Sequence, residues 1–548
     1  MRAANDGAVA RFTASLGVTP AAARVFAARG ATTSFFHPTV NDLHDFTSLL
    51  GIDRAVDRIH RAIREGEHIR LVTDYDVDGT TSCLILQAAL ERAGAGQVSY
   101  HQPDRFTEGY GLSQRAVEHA KAAGVTLLIT ADIGVRDHAS VSRARQLGID
   151  VLIVDHHLPA GENVPADAFA VLCPPQVECP YPNKSLAACG VSLKLATAIL
   201  TGDPRRDDVL ASMMKLAAIG TVADVVDIFN AENRAIVSLG LRALNGGRHS
   251  PGLQALLDVS GAKAGAITAA TLGWQLGPRI NAAGRLADAG AVIRLLRERD
   301  PASAVKQAQV LDELNRERRD IQEKMTELAM ARVGDDPPPF VVVWGSEEEG
   351  FHRGVVGIVA SKVRDRIDRP VAVVSVLGNV ATGSVRSTPA VHAVKALDAV
   401  SSLLVRYGGH AAAAGFTVAT SDLPRMAMEL ADYVSKHIGD AEMAGEEDVD
   451  AEIEGRAVSL ELAHELARLE PCGKGNPKAK LVVNGAISGL RMVKDKHAFF
   501  NVGGAEAVWW GIGERVSDLT GGTAVLGEVI SDEYQGRVRA RVVVEDVG

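Results

Sequence analysis

The stretch Leu71-Val72-Thr73-Asp74-Tyr75-Asp76-Val77-Asp78-Gly79 joins an apolar run to three aspartates at alternate positions. Two later apolar runs end in the same kind of residue: 127–130 leads into Asp132, and 151–154 leads into Asp155-His156-His157. Each run has the length and the residue types of a buried strand. In an open parallel sheet, ligands bind outside the carboxyl ends of the strands. We therefore expect these acids and imidazoles to meet in one small volume.

This cluster of acids predicts a metal site. Neighbouring carboxylates cannot all ionise unless cations neutralise them. Oxygen-rich ligation with few histidines favours Mn²⁺ or Mg²⁺ over zinc, and the number of aspartates is sufficient for two ions. Two such ions can activate a water and stabilise the leaving oxygen of a phosphoryl displacement, so the residues predict phosphate-ester hydrolysis. For the first motif alone, aspartates that cap a helix and an incomplete calcium loop remain open alternatives.

The overall composition is that of a multidomain globular protein. A chain of 548 residues has the length of roughly three or four domains. Its five cysteines form no Cys-x-x-Cys pair, which predicts free thiols in a reducing cytoplasm rather than a zinc site. We expect no membrane span and no signal peptide. The net charge of 58 − 68 = −10 does not exclude nucleic acid as a substrate, because a local basic groove is sufficient for binding.

The apolar patterns divide the chain into an α/β protein of several parts. Alternating helix and strand patterns predict a mostly parallel sheet, which a long helix joins to a smaller α/β domain. Short strands separated by glycine turns predict a C-terminal β-barrel of about five strands, a number that fits an OB-fold, preceded by an acidic linker over 440–452. The predicted parts are a helical extension (1–50), the first α/β domain (51–300), a connector helix (301–335), the second α/β domain (336–438) and the barrel (450–548).

A second group of residues has the features of a phosphate-binding surface. Arg279, Asn281 and Arg285 lie among small residues, Arg386 follows a strand in Ser384-Val-Arg386, and Gly409-His410 opens a segment rich in glycine and alanine. The planar fork of arginine matches phosphate oxygens. Each arginine taken singly could instead form a surface salt bridge, and the His410 segment could be a tightly packed helix.

Basic and aromatic residues recur in the C-terminal part. Lysines and an asparagine precede four aromatic residues there, and together they could form a surface for single-stranded nucleic acid by charge and stacking. Solvated lysines and aromatic side chains of the barrel core are the alternative. The residues are Lys474, Asn476, Lys478, Lys480, Phe499, Phe500, Trp509 and Trp510.

These motifs together resemble the DHH phosphoesterase superfamily and, within it, the bacterial RecJ family of single-strand-specific exonucleases. They occur in the family's order over roughly 50 to 548. The similar segments are 74–79, Arg105 to Leu112, Asp132, 155–157, Asp224, 279–285, 352–357, 408–410 and 470–477.

The resemblance implies a DHH catalytic domain, a DHHA1 substrate-binding domain and an OB-fold. It implies three catalytic residues, namely Asp76, Asp132 and His157, the last of these beside the scissile phosphate. The implied metal ligands are Asp74, Asp76, Asp78, Asp132, His156 and Asp224. The implied substrate-binding residues are Arg105, Tyr110, Arg279, Asn281, Arg285, His352, Ser384, Arg386, Gly409 and His410.

The implied activity is Mn²⁺- or Mg²⁺-dependent 5′→3′ degradation of single-stranded DNA to 5′-mononucleotides in repair and recombination. The strand would pass between the DHH and DHHA1 domains of a monomer, and single-strand-binding protein and a helicase are the expected partners. Val72 stands where some relatives have a histidine, Cys472 replaces the usual phenylalanine, and no extra C-terminal domain is expected. A phosphodiesterase of small oligonucleotides or cyclic dinucleotides, and a non-catalytic DHH scaffold of a replication assembly, are the alternatives.

Overall fold

The computed structural model describes residues 4–159, 161, 163–437 and 448–547. The chain forms two compact units. The first contains Met1–Gly277, Leu296–Arg299 and Asp448–Gly548, and the second contains Pro278–Leu295 and Asp300–Glu447. The helical extension and the C-terminal barrel thus share one unit with the first α/β domain, and the connector helix belongs to the other. Glu442, Glu446 and Glu447 of the predicted acidic linker lie outside the described residues.

The first unit contains a parallel sheet of five strands in the order β2-β1-β3-β4-β5. The three runs that the sequence marks as strands, β1, β3 and β4, are neighbours in this sheet, which confirms the expected meeting of their carboxyl ends. β2 and β5 were not expected; the first is a half-buried strand at one edge and the second has only three residues. The strands are β1 His68–Thr73, β2 Gln97–His101, β3 Leu127–Ala131, β4 Asp150–Val154 and β5 Ala170–Leu172.

The first unit also contains a series of helices, and one of them begins within the first motif. This helix begins at Val77, because the Asp76 carboxylate accepts a hydrogen bond from Gly79 N at 3.0 Å and caps it. Asp78 therefore lies in the first helical turn. The helices are Asp6–Leu16, Pro20–Ala28, Thr33–Phe36, Ile52–Glu65, Val77–Arg92, Gln114–Ala122, His138–Gln146, Ala188–Ile199, Arg206–Ala223, Ala231–Asn245, Pro251–Ser260 and Ala269–Thr271, followed by a π-helical turn, Leu272–Leu276.

The C-terminal barrel is built on seven strands rather than about five. Their order is β11-β12-β16-β17-β15-β14-β13. The sequence missed β11 and β13; the latter has a largely exposed central part and a register shift, which weaken its alternating pattern. The strands are β11 Ala451–Glu454, β12 Leu481–Asn484, β13 Ile487–Val493, β14 His497–Val502, β15 Ala505–Trp509, β16 Ala524–Tyr534 and β17 Arg537–Val547, with a helix Leu460–Leu466.

The N-terminal extension packs on this barrel. Val25, Phe26 and Phe35 belong to the same buried apolar cluster as Leu481 and Phe500 of the barrel. Residues from the two ends of the chain thus form one core, an association that no local sequence pattern reports.

The second unit has a mixed sheet in the order β6-β7-β8-β10-β9, parallel between β6 and β7 and antiparallel elsewhere. The connector helix spans Pro301–Val333, two residues shorter than the predicted 301–335, and Asp300 caps its start. The strands are β6 Val341–Ser346, β7 Val371–Leu377, β8 Val380–Arg386, β9 Leu404–Gly409 and β10 Ala413–Ala419. The other helices are Gly277–Leu286, Gly290–Arg297, Val356–Ile367, Ala393–Ala399 and Leu423–His437. Among the described residues, no helix is both long and apolar enough to cross a membrane.

Candidate active site

The carboxyl ends of β1, β3 and β4 converge on His156. Its Nε2 atom lies 3.2 Å from Asp132 Oδ1, 3.6 Å from Asp224 Oδ2 and 3.9 Å from Asp78 Oδ2. Asp224 reaches the cluster from the end of the helix Arg206–Ala223. Residues that are far apart in sequence thus place three carboxylates around one imidazole.

In the described part of the chain, potential metal ligands fall into three overlapping groups, and within each group the ligand atoms lie no more than 4.8 Å apart. Asp132 and His156 each belong to two of these groups, so the groups share ligands and adjoin one another. All six predicted metal ligands are included, together with His157. The groups are Asp74, Asp76 and Asp132; Asp78, His156 and Asp224; and Asp132, His156 and His157.

Local backbone structure positions the acids. Both oxygens of Asp78 accept hydrogen bonds from the first amides of the helix Ala188–Ile199, at 2.7 Å from Ala188 N and 2.8 Å from Cys189 N. Asp132 has a left-handed backbone with φ of 64°, a conformation that costs free energy and is common at functional sites. A Cβ at Gly79 would lie 2.4 Å from the carbonyl oxygen of Asp74. Only glycine therefore lets the first helical turn approach the first aspartate.

Asp155 organises the two histidines. It accepts hydrogen bonds from Val135 N at 3.0 Å, from the backbone amides of His156 and His157 at 2.7 and 3.1 Å, and from His157 Nδ1 at 2.8 Å. Burial alone would raise the pKa of Asp155, but these bonds and the charge of the histidines lower it. Burial also opposes a charge on His157, yet Asp155 raises the pKa of His157 to about 9. Asp155 thus orients His157, while Asp132 and His156 face the cluster.

The remaining acids resist full ionisation. The pKa values of Asp74 and Asp132 are raised well above the usual range, mainly by burial and secondly by the charge of Asp76. Burial and the charge of Asp224 raise the pKa of Asp78 to about 6, and burial and Asp76 raise the pKa of Asp224 to about 7. This cluster is therefore short of positive charge.

The donor atoms fit a divalent cation. Among the described residues, Asp74 Oδ1 is buried without a hydrogen-bond partner. Asp132 Oδ1 and His156 Nε2 lie 3.2 Å apart, but their geometry is not that of a hydrogen bond and neither forms a hydrogen bond to any other described residue. Such an arrangement is costly unless another group satisfies these atoms. Burial lowers the pKa of His156 and so favours the neutral imidazole that binds metals. Val72, which stands where some relatives have a histidine, is 1% exposed in the apolar core, and Asp74 contributes to the neighbouring ligand group.

Two predicted substrate residues lie beside this cluster. Tyr110 Oη donates a hydrogen bond to the carbonyl oxygen of Asp132 at 3.1 Å and lies 3.3 Å from His157 Nε2. The Arg105 guanidinium lies over the Tyr75 ring, 4.4 Å from its centre, and its charge lowers the pKa of Asp74 against the larger effect of burial. Both side chains thus lie beside the groups of potential metal ligands.

In the second unit, the predicted substrate-binding residues Ser384 and Arg386 contact one another. The half-buried guanidinium of Arg386 donates to Ser384 Oγ at 2.7 Å and to the carbonyl oxygen of Val385 at 2.8 Å. No ion pair is found between Arg386 and a carboxylate within the described ranges. Gly357, near the start of the helix Val356–Ile367, leaves room beside it, since a Cβ there would lie 2.9 Å from Arg386 Nη2.

His410 lies at the same end of this sheet. Its backbone amide donates to Ala413, the residue paired with Arg386 across β8 and β10. The segment is a strand hairpin and not a helix, so the helix-packing alternative is wrong. Gly409 has a φ of 154°, and a Cβ there would lie 2.3 Å from the carbonyl oxygen of Ala413. The glycine is thus required by the close approach of the two strands.

The other arginines predicted in this unit have internal partners. Arg279 pairs with Asp312 of the connector helix at 2.8 Å. Arg285 donates to the carbonyl oxygen of Gly354 at 3.1 Å, and Gly354 N donates to His352 Nδ1 at 3.1 Å. Asn281 is half-buried on the same helix as the two arginines.

The predicted nucleic-acid surface of the barrel requires a correction. Asn476 is fully buried and forms hydrogen bonds with Arg29 and with backbone carbonyls. It therefore supports the fold and is not exposed to a nucleic acid. Lys478 pairs with Glu528 at 2.9 Å and Lys480 with Glu545 at 2.6 Å, while Lys474 is exposed. Phe500 and Trp509 belong to the core, as the alternative interpretation held, whereas Trp510 is 53% exposed and lies 5.5 Å from the Phe499 ring.

Comparison with known proteins identifies the family. The DHH family, N-terminal domain, matches residues 68–221; the DHHA1 domain matches 338–436; and the RecJ OB domain matches 449–546. The single-stranded-DNA-specific exonuclease RecJ of Bacillus subtilis is 34% identical in an alignment that covers 98% of this chain and 69% of that protein. The chain belongs to the RecJ family.

Solved RecJ structures agree with this assignment. RecJ from Thermus thermophilus in complex with Mn²⁺ has a TM-score of 0.86 and 28% identity, over 100% of this chain and 78% of that one. Its complex with Mg²⁺ has a TM-score of 0.79 and 27% identity, over 100% of this chain and 77% of that one. The expected fold of DHH, DHHA1 and OB domains is confirmed, and the predicted cofactors are the ions that this relative binds.

Sequence reasoning missed several residues that shape this RecJ-family site. The amides of Ala188 and Cys189 hold Asp78. The buried Arg29 joins the N-terminal extension to the barrel, and the buried Arg234 joins the α/β domain to both. Backbone amides carry no residue-type signal. Arg29 directly follows the helix Pro20–Ala28, and a basic residue at the C-terminal end of a helix is common, so its position gave no signal of a buried role.

Proposed function

We propose that this chain is a metal-dependent exonuclease that degrades single-stranded DNA from its 5′ end to 5′-mononucleotides. The observation that carries the proposal is the buried cluster of acids and imidazole, with three ligand atoms that form no hydrogen bond to a described residue, in a chain with DHH, DHHA1 and RecJ OB domains. Two Mn²⁺ or Mg²⁺ ions would be held by Asp74, Asp76, Asp78, Asp132, His156 and Asp224. Bound ions supply an activated water and neutralise charge on the phosphate.

The chain's own residues orient the reacting phosphodiester. His157, fixed by Asp155, is placed to donate a hydrogen bond to a phosphate oxygen, and Tyr110 limits its movement from the other side. Fixed donors of this kind stabilise developing charge without reorganisation. Arg105 adds a positive charge near Asp74.

The second unit supplies the binding of the terminal phosphate. Arg386 lacks a carboxylate partner among the described residues, and Ser384 orients its fork. A phosphate monoester would satisfy this guanidinium with charge-assisted hydrogen bonds. His410, and the helix that bears Arg279, Asn281 and Arg285, belong to the same unit and would add donors. This preference for a terminal phosphate gives the enzyme its 5′ polarity.

We also propose a monomeric, cytoplasmic enzyme that acts in repair and recombination. Single strands in a cell are produced by unwinding, so a helicase and a single-strand-binding protein are its expected partners. The barrel lysines Lys474, Lys478 and Lys480, with Phe499 and Trp510, would track the strand by charge and stacking. Neither a dinucleotide phosphodiesterase nor a non-catalytic scaffold is favoured, since the OB domain and all the ligands are present.

A digestion of end-labelled oligonucleotides tests this function. With Mn²⁺, a 5′-labelled single strand should release labelled mononucleotide at once, while a 3′-labelled strand should shorten progressively and release its label last. A blunt duplex of the same sequence should remain intact. Early release of the 3′ label, or equal cleavage of a dinucleotide and a long strand, would contradict the proposal.

A further inference from the structure

A loop of the barrel lies directly against the segment that follows Asp224. This barrel loop comprises residues 473–476. The carbonyl oxygen of Lys474 in it accepts a hydrogen bond from Ile228 N at 2.9 Å. Gly475 approaches Asp227 so closely that a Cβ there would lie 1.8 Å from Asp227 Oδ1. A Cβ at Gly473 would lie 2.8 Å from the end of the Ile228 side chain. The two segments are thus in close contact.

The segment after Asp224 has an unfavourable backbone. Val225 has a φ of 56° and its side chain is 58% exposed. A left-handed conformation is costly for a β-branched residue and persists only where the surroundings impose it. Asp227 accepts a bond from Phe229 N at 2.8 Å, and its carbonyl oxygen accepts one from Asn233 at 2.8 Å. The barrel loop supplies the contacts on the other side.

Buried arginines hold the barrel loop in place. Arg29, on the N-terminal extension, forms a buried ion pair with Asp450 at 2.7 Å and donates to Asn476 Oδ1 at 2.9 Å. Asn476 donates in turn to the carbonyl oxygens of Leu469 and Pro471, at 2.7 and 2.9 Å. The loop is therefore fixed by the extension and by its own barrel.

Arg234 connects the same region to the α/β domain. Its fully buried guanidinium donates to the carbonyl oxygens of Phe35 and Glu470 at 2.7 Å each, and to that of Leu469 at 3.1 Å. One side chain thus joins the extension, the barrel and the helix Ala231–Asn245, which follows the Asp224 segment in the chain.

We propose that the N-terminal extension and the barrel position the metal ligand Asp224 and thereby set the affinity of the ion that Asp78, His156 and Asp224 would hold. Gly473, Gly475 and Asn476 are positioning residues in this inference, since they act through the backbone of 225–228. The inference rests on the proposed metal site. It gives the N-terminal extension a role in catalysis besides its packing.

A graded series of glycine substitutions tests it. Gly475→Ala inserts a Cβ against Asp227, whereas Gly504→Ala imposes the same kind of backbone strain, with φ of 90°, where nothing lies within 4 Å. Calorimetric titration with Mn²⁺ should show Gly475→Ala binding one ion about 10- to 100-fold more weakly than wild type, the size of effect that supporting residues have at metal sites. The Mn²⁺ affinity of Gly504→Ala should match that of wild type. The Mn²⁺ affinity of Gly473→Ala should lie between those of wild type and Gly475→Ala, because the neighbour of Gly473 is the flexible side chain of Ile228. Equal Mn²⁺ affinity in all four proteins would overturn the inference.

A second substitution distinguishes a specific effect of the contact between residue 475 and Asp227 from a general loss of stability. Asp227→Ser shortens the side chain that meets the new Cβ and keeps an acceptor for Phe229 N. Added to Gly475→Ala, it should restore most of the Mn²⁺ affinity, and saturating Mn²⁺ should restore turnover in the single variant. A double variant as weak as Gly475→Ala would contradict the positioning role. Wild-type protein that binds Mn²⁺ but leaves DNA intact would contradict the proposed function instead.

Discussion

Asp76→Ser is expected to lower the turnover of single-stranded DNA by at least about a thousandfold, because it removes one of the three carboxylates in the ligand group of Asp74, Asp76 and Asp132. The fold should persist. Serine is a good helix cap and can still accept from Gly79 N. Loss of one carboxylate also relieves repulsion, since Asp76 is among the causes that raise the pKa of Asp74, Asp132 and Asp224. The measurements are single-turnover kinetics at saturating Mn²⁺ and a thermal melt without metal.

Asp300→Ser is the matched control for this substitution. Asp300 caps the connector helix, with its carboxylate 2.7 Å from Ser303 N. The same exchange there should leave turnover within about twofold of wild type, as expected for a surface substitution of small effect. If Asp76→Ser retained a tenth or more of wild-type turnover, the assignment of the first motif to the metal site would be wrong.

Arg386→Met is expected to lower kcat/KM on a 5′-phosphorylated strand by about a hundredfold, the loss of roughly 3 kcal/mol typical of a charged hydrogen-bonded contact. Arg386→Lys should recover little, because an ammonium cannot reproduce the planar fork that Ser384 orients. On a strand with a 5′-hydroxyl, both variants should differ from wild type by no more than a few-fold. The measurement is a pair of progress curves on the two strands for each protein.

Arg425→Met provides the comparison in the same unit. Arg425 is exposed on the helix Leu423–His437 and pairs with Glu429 at 2.7 Å, so its loss should not distinguish the two strands. If Arg386→Met lost as much activity on the 5′-hydroxyl strand as on the phosphorylated one, Arg386 would not be the terminal-phosphate residue.

The features that the sequence predicted are those encoded by local patterns. Buried parallel strands are continuous apolar runs, so β1, β3 and β4 and their terminal acids could be recognised. The connector helix is bounded by Pro301 and by the prolines from 337 onward, and its prediction is confirmed. Edge strand β2 and the short β5 lack such a run, and they were missed.

The features that the sequence did not predict depend on contacts between distant segments. Asn476 looked like a surface residue of a basic turn, but a partner more than 400 residues earlier, Arg29, buries it. The division of roles within Asp155-His156-His157 is also non-local, because it depends on which side chain receives the Val135 amide. A resemblance between motifs gives the ligand set, while the geometry that holds each ligand is a property of the fold.

Anomalous diffraction from crystals grown with Mn²⁺ would locate the metal ions on the chain. We expect two peaks at the carboxyl ends of β1, β3 and β4. One should be bounded by Asp74, Asp76 and Asp132 and the other by Asp78, His156 and Asp224. Peaks only elsewhere on the chain, or none at saturating Mn²⁺, would show that these acids do not form the metal centre.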